Sequence, residues 1–343
     1  MRILEDACRL NEASEDGSPT PDEAEGEAHR ATTREGTMTG ALLQALISGL
    51  ATGGIYALVA LAFSITFTTT KTLNFGHGEF VSAGAFVGVS AMLMLLGKPI
   101  SGSLTGEPVG GWLQIIAIVV ATFGIGLLGL LLYVLAVRPF AGKPGMSWVM
   151  TTLGFGIILQ SIGLAIWGPG TVMVPPPFGD DVIRVFGIGI RSQEILILVI
   201  SLLIMAIFDF IMQKTMVGKA MRAVAHNRQV ASLMGINVTA VMLGAFFISS
   251  ALAGLSGILI APIASASLYL GLGVALKGFS GAIIGGLSNP RGCVLGGFAL
   301  GVLESMINLW QAQWREIVVF AIVILVLAVT PAGLFGSKTV EKV

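Results

Sequence analysis

The polar stretch QKTMVGKAMRAVAHNRQVASLMGIN occupies residues 213–237, between two apolar segments that are each long enough to span a membrane. It contains many alanines and four basic residues: Lys214, Lys219, Arg222 and Arg228. Basic residues between spanning helices are retained on the cytoplasmic side, so this loop is predicted to be cytoplasmic. A helical, basic loop of this kind indicates a docking element for a partner protein. The alternative is a basic loop that only sets the topology.

The composition of the whole chain agrees with a membrane location. Of the 343 residues, 55% are hydrophobic and 11% are charged, whereas an ordinary soluble domain has about 25% charged residues. Mean hydropathy is +0.90. A soluble fold of this size has too little interior to hide so much apolar surface. The predicted fold class is therefore all-α: a polytopic bundle of transmembrane helices embedded in the lipid bilayer.

Residues 1–37 form an acidic leader that differs from the rest of the chain. The leader holds ten of the 19 acidic residues and four of the 19 basic ones, which leaves residues 38–343 with 9 acidic and 15 basic residues. It has few aliphatic residues and no aromatic residue, so it is predicted to be disordered. Met38 stands just before the first apolar run and is an alternative translation start, in which case the leader is not made. Residues 38–343 are predicted to form the transmembrane domain.

Nine apolar segments are candidates for spanning helices, since about 20 apolar residues cross the hydrocarbon core of a bilayer. They lie near residues 42–67, 79–96, 113–137, 148–167, 194–212, 238–260, 274–288, 292–309 and 316–333. The segment 274–288 is short and rich in glycine, so eight full spans and one broken span agree with the sequence equally well. Recurrent small-xxx-small pairs, such as Gly49/Gly53 and Gly84/Gly88, predict close helix contacts.

Alternation of the spans around the cytoplasmic loop sets the predicted orientation. The segment 168–192, with Asp180 and Asp181, is placed outside, as is the N-terminus. The C-terminus is predicted to be cytoplasmic. Five further cations then fall on the cytoplasmic side as well: Arg138, Lys143, Arg291, Lys338 and Lys342.

Two interrupted apolar segments combine glycines with polar residues: KTLNFGHGEFVSAGAF at residues 71–86 and LGLGVALKGFSGAIIGGLSNPRG at residues 270–292. A helix break frees backbone N–H and C=O groups that cannot face lipid, so each break is expected to face protein or a wet cavity. Paired breaks in the two halves of a transporter point to the translocation pathway, and simple re-entrant packing is the alternative. The candidate pathway-lining residues are Asn74, His77, Glu79, Lys277, Gly281, Gly285, Gly286 and Glu304.

The ionisable residues in these segments do not form a recognisable catalytic or metal site. His77 and Glu79 stand close together, but no HExxH motif and no cysteine cluster accompanies them, so they are expected to satisfy the broken backbone. Lys277 and Glu304 lie within apolar segments, where ionisable groups tend to be functional or paired. They are expected to pair with each other, or Lys277 to extend to an interface.

Neither ATP hydrolysis nor nucleic-acid binding is expected of this chain. The pattern GxxxxGK[ST] is absent from the sequence, so ATP would have to be hydrolysed by a partner subunit, and no cofactor is expected on this chain. The basic residues lie at membrane edges, where topology already explains them. The chain is therefore predicted not to be an enzyme.

Several stretches together resemble the permeases of branched-chain amino acid ABC transporters. They are ALLQALISGLATGGIYALVALAFSITF (41–67) with LNFGHGEF (73–80), GKAMRAVA (218–225) followed by ASLMGIN (231–237), and FSGAIIGGL (279–287) running into Pro290 and Gly292. The closing TPAGLFG (330–336) fits as well. The resemblance covers about residues 40–343 and implies the membrane-spanning subunit of a binding-protein-dependent importer in the inner membrane of a bacterium.

The resemblance also implies partners and a coupling site. A periplasmic binding protein would deliver a branched-chain amino acid or a related small solute, a second permease subunit (a paralogue or another copy) would complete the pathway, and ABC ATPase subunits would drive transport. The coupling residues would be Gly218, Lys219, Arg222, Ala223, Ala225, Arg228, Ala231 and Gly235. An apolar face of Met221, Val224, Ala225, Leu233 and Met234 is expected to seat on the ATPase, and the two arginines to pair with its acidic groups.

Alternatives to this interpretation remain open at the level of sequence. One is a secondary transporter or channel that works alone, for which Glu79, Lys277 and Glu304 are the sparse candidates for ion coupling. Another is a permease for amides or urea. A membrane-embedded enzyme lacks a persuasive catalytic cluster. No residue set in the sequence selects the substrate.

Overall fold

The fold is described from a computed structural model. The described residues are 21–100, 102, 104, 110–140, 147–176, 179, 182–185, 188–331 and 333–336, with the backbone alone for 21–39, 182–185 and 188. The predictions made for Lys143, Asp180, Asp181, Lys338 and Lys342 lie outside them.

Eleven α-helices and one β-hairpin make up the regular structure of the described residues. The helices are α1 (Pro21–Thr70), α2 (His77–Leu95), α3 (Gly111–Leu132), α4 (Ser147–Trp167), α5 (Ser192–Lys214), α6 (Met216–His226), α7 (Arg228–Leu233), α8 (Val238–Ala264), α9 (Leu270–Gly285), α10 (Pro290–Trp310) and α11 (Arg315–Val329). Short helical turns, Tyr133–Val137 and Arg138–Phe140, extend α3, and Ala312–Trp314 precedes α11. Strands β1 (Val182–Val185) and β2 (Ile188–Arg191) pair antiparallel between α4 and α5.

Eight of the described helices are long and apolar enough to cross a membrane: α1 to α5, α8, α10 and α11. Helix α9 is apolar but has only 16 residues. The prediction of an all-α polytopic bundle with eight full spans and a short one near 274–288 is confirmed. The polar loop at 213–237 is helical, as predicted, and forms α6 and α7.

The first helix begins earlier than the sequence predicts. Its backbone is helical from Pro21, while residues 1–20 lie outside the described residues. Disorder of the leader stays a prediction. Glutamate and alanine are good helix formers, and a helix that is already nucleated extends at little cost. The apolar span of α1 starts at Gly40. A translation start at Met38 stays a prediction.

Helices α1 and α8 form the centre of the bundle. In each of them 72% of the most apolar stretch is buried, compared with 17% in α4 and 11% in α11. The peripheral helices therefore present most of their apolar side chains to the surroundings, as expected of lipid-facing spans. Large buried side chains such as Phe80, Phe86 and Phe246 fill the space around the two central helices.

Glycines allow the central helices to approach their neighbours at backbone distance. A Cβ atom at Gly53 of α1 would lie 2.9 Å from the carbonyl oxygen of Phe298 on α10. On α2, a Cβ atom at Gly84 would overlap the backbone of Gly254 on α8. The close contacts that the small-xxx-small pairs predict are confirmed, and they give the packing that holds helices together where lipid offers no hydrophobic driving force.

We predict that Gly257→Ala destabilises the bundle whereas Gly244→Ala does not, although both glycines lie in α8. A Cβ atom at Gly257 would overlap the Val81 carbonyl oxygen of α2, but a Cβ atom at Gly244 would have no atom within 4 Å. Overpacking costs about 1–3 kcal/mol, whereas alanine is favoured over glycine in an open helical position by up to about 1 kcal/mol. Thermal denaturation in detergent should give a lower midpoint for Gly257→Ala alone. Equal midpoints would contradict the proposed contact.

Candidate functional site

The break between α1 and α2 is closed by local hydrogen bonds. The hydroxyl groups of Thr69 and Thr70 donate back to the carbonyl oxygens of Ile65 (2.8 Å) and Thr66 (2.6 Å). The chain then turns at Lys71, which has a φ of 54°. The Oδ1 atom of Asn74 accepts a hydrogen bond from the backbone N–H of Gly76 at 3.0 Å. Asn74 thus acts as a turn former, which agrees with the prediction that polar residues here satisfy the broken backbone.

His77 connects three helices in the interior of the bundle. It is fully buried, its Nε2 lies 2.7 Å from Ser249 Oγ of α8, and that hydroxyl donates to the Ala62 carbonyl oxygen of α1 at 2.8 Å. Because the serine hydrogen is used in the second bond, Nε2 carries the hydrogen of the first. The imidazole also stacks on Phe63, with ring centroids 4.5 Å apart. His77 is therefore a structural junction of α1, α2 and α8.

Glu79 lies on a different side of the same turn. It is half-buried, and a Cβ atom at Gly156 of α4 would be 3.2 Å from its Cγ. His77 faces α8 and Glu79 faces α4, so the two do not act as a pair. Within the described residues, no group of three or more His, Cys, Asp or Glu side chains is placed to hold a metal ion.

The two interrupted segments meet in the folded chain. Ser82 of α2 donates through Oγ to the Leu268 carbonyl oxygen at 3.0 Å and accepts from the Gly271 N–H at 2.9 Å. A Cβ atom at Gly78 would lie 3.2 Å from the backbone of Gly271. Each break is thus covered by protein, and the polar backbone between α8 and α9 is paired by a side chain from the other break, as the cost of unpaired groups in lipid requires.

Lys277 and Glu304 form the buried core of a charge cluster. The Lys277 Nζ atom lies 2.6 Å from Glu304 Oε1 and 2.8 Å from Glu316 Oε1. Arg315 adds a second cation, with its Nε 3.3 Å from Glu304 Oε1, and the Tyr56 ring has its centroid 5.8 Å from the lysine Nζ. Two acids and two bases from α9, α10 and α11 therefore balance each other. The predicted pairing of Lys277 with Glu304 is confirmed.

The predicted pathway glycines of α9 are buried at a helix contact. Gly281 packs against Gly297, with 2.9 Å between a built Cβ and the Gly297 Cα, and Gly285 packs against Gly292. Gly286 ends the helix with a φ of 91°. These positions hold α9 on α10 by close packing. Their place in a translocation pathway stays a prediction.

Side-chain caps define the two short helices of the loop at residues 213–237. The Thr215 hydroxyl accepts from the Gly218 N–H at 3.3 Å, and Asn227 Oδ1 accepts from the N–H groups of Gln229 (3.0 Å) and Val230 (3.1 Å). Gly218 lies against the last turn of α5, where any side chain would overlap the Met212 carbonyl oxygen. The caps satisfy N–H groups that a helix start leaves free, so α6 and α7 are held as separate rigid pieces.

Both loop arginines bind backbone carbonyls of their own chain. Arg222 donates to the Met212 carbonyl oxygen at the end of α5, and Arg228 donates to the Thr69 carbonyl oxygen at the end of α1, at 3.2 Å. Cations are favoured at helix C-termini by the helix dipole. Burial lowers the pKa of Arg228, yet arginine stays charged at neutral pH. Both arginines thereby attach α6 and α7 to the spans. That they pair with acidic groups of a partner stays a prediction.

The outward face of the loop differs from the predicted one. Met221 and Val224 are 4% and 1% exposed, because they pack into the bundle. Five large apolar residues of the loop are exposed among its exposed polar residues, and they are called the exposed loop surface below: Met216, Val217, Val230, Leu233 and Met234. Leu233 and Met234 were predicted to be there, but the other three were not. Of the remaining coupling candidates, Gly218 and Ala231 are buried, Ala223, Ala225 and Arg228 are half-buried, and Lys219, Arg222 and Gly235 are exposed.

Known proteins are similar to this chain over most of its length. A family model described as branched-chain amino acid transport system / permease component matches residues 45–327. The chain belongs to this family. The permease is similar to the LivH high-affinity branched-chain amino acid permease protein of Salmonella typhimurium (strain LT2), with 29% identity over 304 residues, covering 86% of this chain and 96% of the relative.

Two further relatives indicate the breadth of the similarity. BraD, a high-affinity branched-chain amino acid permease protein of Pseudomonas aeruginosa, is 27% identical over 305 residues, covering 86% of this chain and 96% of that protein. AlsC, a D-allose transport system permease protein of Escherichia coli (strain K12), is 27% identical over 267 residues, covering 71% and 74%. The permease is thus a multi-pass subunit of an ABC importer.

Several residues of the site were not predicted from the sequence. Glu316 and Arg315 complete the charge cluster, and their only sequence signal is a pair of charges at the start of the last span. Ser249 binds His77 from the middle of an apolar helix, where the sequence gives no signal that distinguishes it from the neighbouring serines. Met216 and Val217 are apolar residues directly after the capping Thr215. Their exposure could not be predicted, because it depends on how this first turn packs against α5.

We predict that Lys277→Met destabilises the permease more than the double change Lys277→Met with Glu304→Gln. Removing the lysine alone leaves two carboxylates around one arginine, and breaking a buried ion pair in this way costs about 3–5 kcal/mol. The second change restores charge balance. Thermal denaturation of both variants in detergent measures the difference. If the loss of stability in the double variant equalled the sum of the losses caused by Lys277→Met and by Glu304→Gln alone, the two residues would not be interacting.

Proposed function

We propose that the permease forms one half of a translocation pathway for branched-chain amino acids or related small solutes, driven by ABC ATPase subunits that dock on α6 and α7. The exposed loop surface carries this proposal. Five apolar side chains exposed to water on one loop are costly unless a partner covers them. The capped helices below this surface are anchored to α1 and α5 through arginine, so a force applied to it would reach two spans.

The proposed docking mode is helix in groove. Short helices with an apolar face bind grooves lined by apolar side chains on their partner. Leu233 and Met234 are 87% and 75% exposed and lie at the end of α7, while Met216 is 78% exposed at the start of α6. The exposed Lys219 lies beside this surface and would meet an acidic rim. ATP hydrolysis would occur on the partner.

The proposed orientation places this loop and the C-terminus in the cytoplasm of a bacterium and the β-hairpin on the outer side of the inner membrane. The loop carries four basic residues, which the positive-inside rule favours on the cytoplasmic side. Arg291 and Arg228 lie at the same end of the bundle, since they contact the ends of α5 and α1. A binding protein would then deliver solute at the opposite end.

The solute is proposed by analogy with relatives named for branched-chain amino acid transport. The similarity to a D-allose permease protein is nearly as high in identity but covers less of both chains. A sugar is the second candidate, and amides or urea remain further ones. In this class of importer the binding protein supplies most of the selectivity, so the permease has to pass a small solute rather than recognise it.

We predict that Leu233→Glu combined with Met234→Glu abolishes ATPase binding while the permease still inserts. Charges on this surface would have to be buried without a partner in the ATPase groove. A matched control is Met173→Glu, which changes an exposed methionine (70%) on the segment between α4 and β1. Co-purification of the ATPase and uptake of labelled leucine should be lost in the first variant and retained in the control. Retained binding and uptake in the double variant would disprove docking at this surface.

Co-purification also tests the proposal as a whole. The tagged permease, expressed with its neighbouring genes, should bring down a P-loop ATPase whose hydrolysis increases when a binding protein loaded with leucine is added. A binding protein loaded with D-allose that stimulates instead would favour a sugar. If the permease purifies without any ATPase under conditions that preserve the bundle, the proposed coupling is wrong.

A further inference from the structure

A cavity of about 610 Å³ lies between α5 and α10, next to the loop helices. Leu61, Met205, Phe208 and Leu295 contribute to its apolar wall. Along α5 the lining changes from Met205 to Asp209 and Gln213 towards the loop. Along α10 it changes in the same direction, from Leu295 to Arg291. The cavity is therefore an apolar groove between two spans with a polar end at the membrane edge that carries α6 and α7.

Two guanidinium groups and one carboxylate gather at the polar end. Arg291 donates from Nε to Asp209 Oδ1 at 2.7 Å and from a terminal nitrogen to Oδ2 at 3.1 Å. Gln213 donates to the same carboxylate, and Arg222, which also lines the cavity, donates to the Met212 carbonyl oxygen. A guanidinium has five N–H donors, so both arginines keep donors for another acceptor. The net charge of the cluster is +1.

We propose that this cavity binds an anionic phospholipid, with the phosphate between Arg291 and Arg222 and an acyl chain along the apolar wall. Arginine suits phosphate because its planar donors match the phosphate oxygens. A soluble anion would not use the apolar wall, and a neutral lipid would leave the net positive charge unbalanced. Basic pockets between spans on the cytoplasmic side are the places where anionic headgroups bind. The side chains of Arg291 and Asp209 are 65% and 41% exposed, so a headgroup can reach them.

The proposed lipid would bind beside the attachment of α6 to α5. Arg222 joins α6 to the end of α5, and a gap of about 30 Å³ behind it is lined by Thr69, Met221 and Ala225. A phosphate on Arg222 would hold this arginine in place and so fix α6 against α1 and α5. The inference does not depend on the transported solute or on the ATPase.

The test uses the full-length permease in vesicles of phosphatidylcholine with one tenth phosphatidylglycerol. The permease is extracted from these vesicles, and native mass spectrometry then measures the lipid that it retains. Three variants are compared: Arg291→Gln, Asp209→Asn and, as a matched control, Lys214→Gln, which removes a charge at the same membrane edge from a residue that does not line the cavity. Arg291→Gln should lower retention of phosphatidylglycerol about fivefold, since one basic residue contributes about 1 kcal/mol to anionic lipid binding.

Asp209→Asn separates a lipid site from a merely structural ion pair. It removes the competing carboxylate and leaves both arginines, so retention should rise, whereas Lys214→Gln should leave it unchanged. If Asp209→Asn and Arg291→Gln both lower retention, the pair only holds the helices together and the proposal fails. An equal loss with Lys214→Gln would indicate general surface charge.

Two further outcomes would also overturn the proposal. Displacement of the lipid by excess inorganic phosphate would assign the arginines to a soluble anion. Efficient disulfide formation between two copies carrying Leu295→Cys would show that another permease subunit occupies the groove.

Discussion

A backbone group without a hydrogen-bond partner cannot remain in hydrocarbon, and this constraint shapes the whole interior of the permease. Both helix breaks have partners for their backbone groups: Asn74 closes the first locally, and Ser82, which follows that break in α2, reaches across to pair the backbone of the second. The breaks must therefore lie together, and the helices that carry them must pack closely. Glycines at the contacts make that approach possible, since a side chain at Gly271 would displace Ser82 and Gly78.

The same constraint explains how the loop helices are attached. The last carbonyl groups of α1 and α5 have no partner within their own helices. An arginine from the loop binds one of these carbonyl groups in each helix. Arg222 and Arg228 therefore link the surface that would meet an ATPase to spans that lead into the bundle. From Thr69 the path is short, because Lys71 and Asn74 follow directly and His77 then contacts α8. Arg228 thus attaches α7 to the helix end that leads into the break between α1 and α2.

Much of this arrangement could be predicted from the sequence, and the failures have physical causes. The spans, the short α9, the helical loop and the pairing of Lys277 with Glu304 follow from hydropathy, glycine content and the cost of buried charge. The outward face of the loop could not be predicted in this way. Met221 and Met216 are both apolar, and the sequence pattern does not indicate which of them the chain's own spans cover. The roles of Arg222 and Arg228 depend on carbonyl groups that are distant in sequence.

The sequence by itself determined the class of the protein and the positions of its spans, because lipid imposes one strong requirement of length and apolarity on each spanning segment. Its motifs determined the family to which it belongs. Only the tertiary structure decided that His77 and Glu79 face different helices. It also decided that Arg315 and Glu316 complete the charge cluster, and that α5 and α10 leave a groove beside Asp209 and Arg291. These are contacts between residues far apart in the chain, set by how helices tilt and pack, and local periodicity carries no information about them.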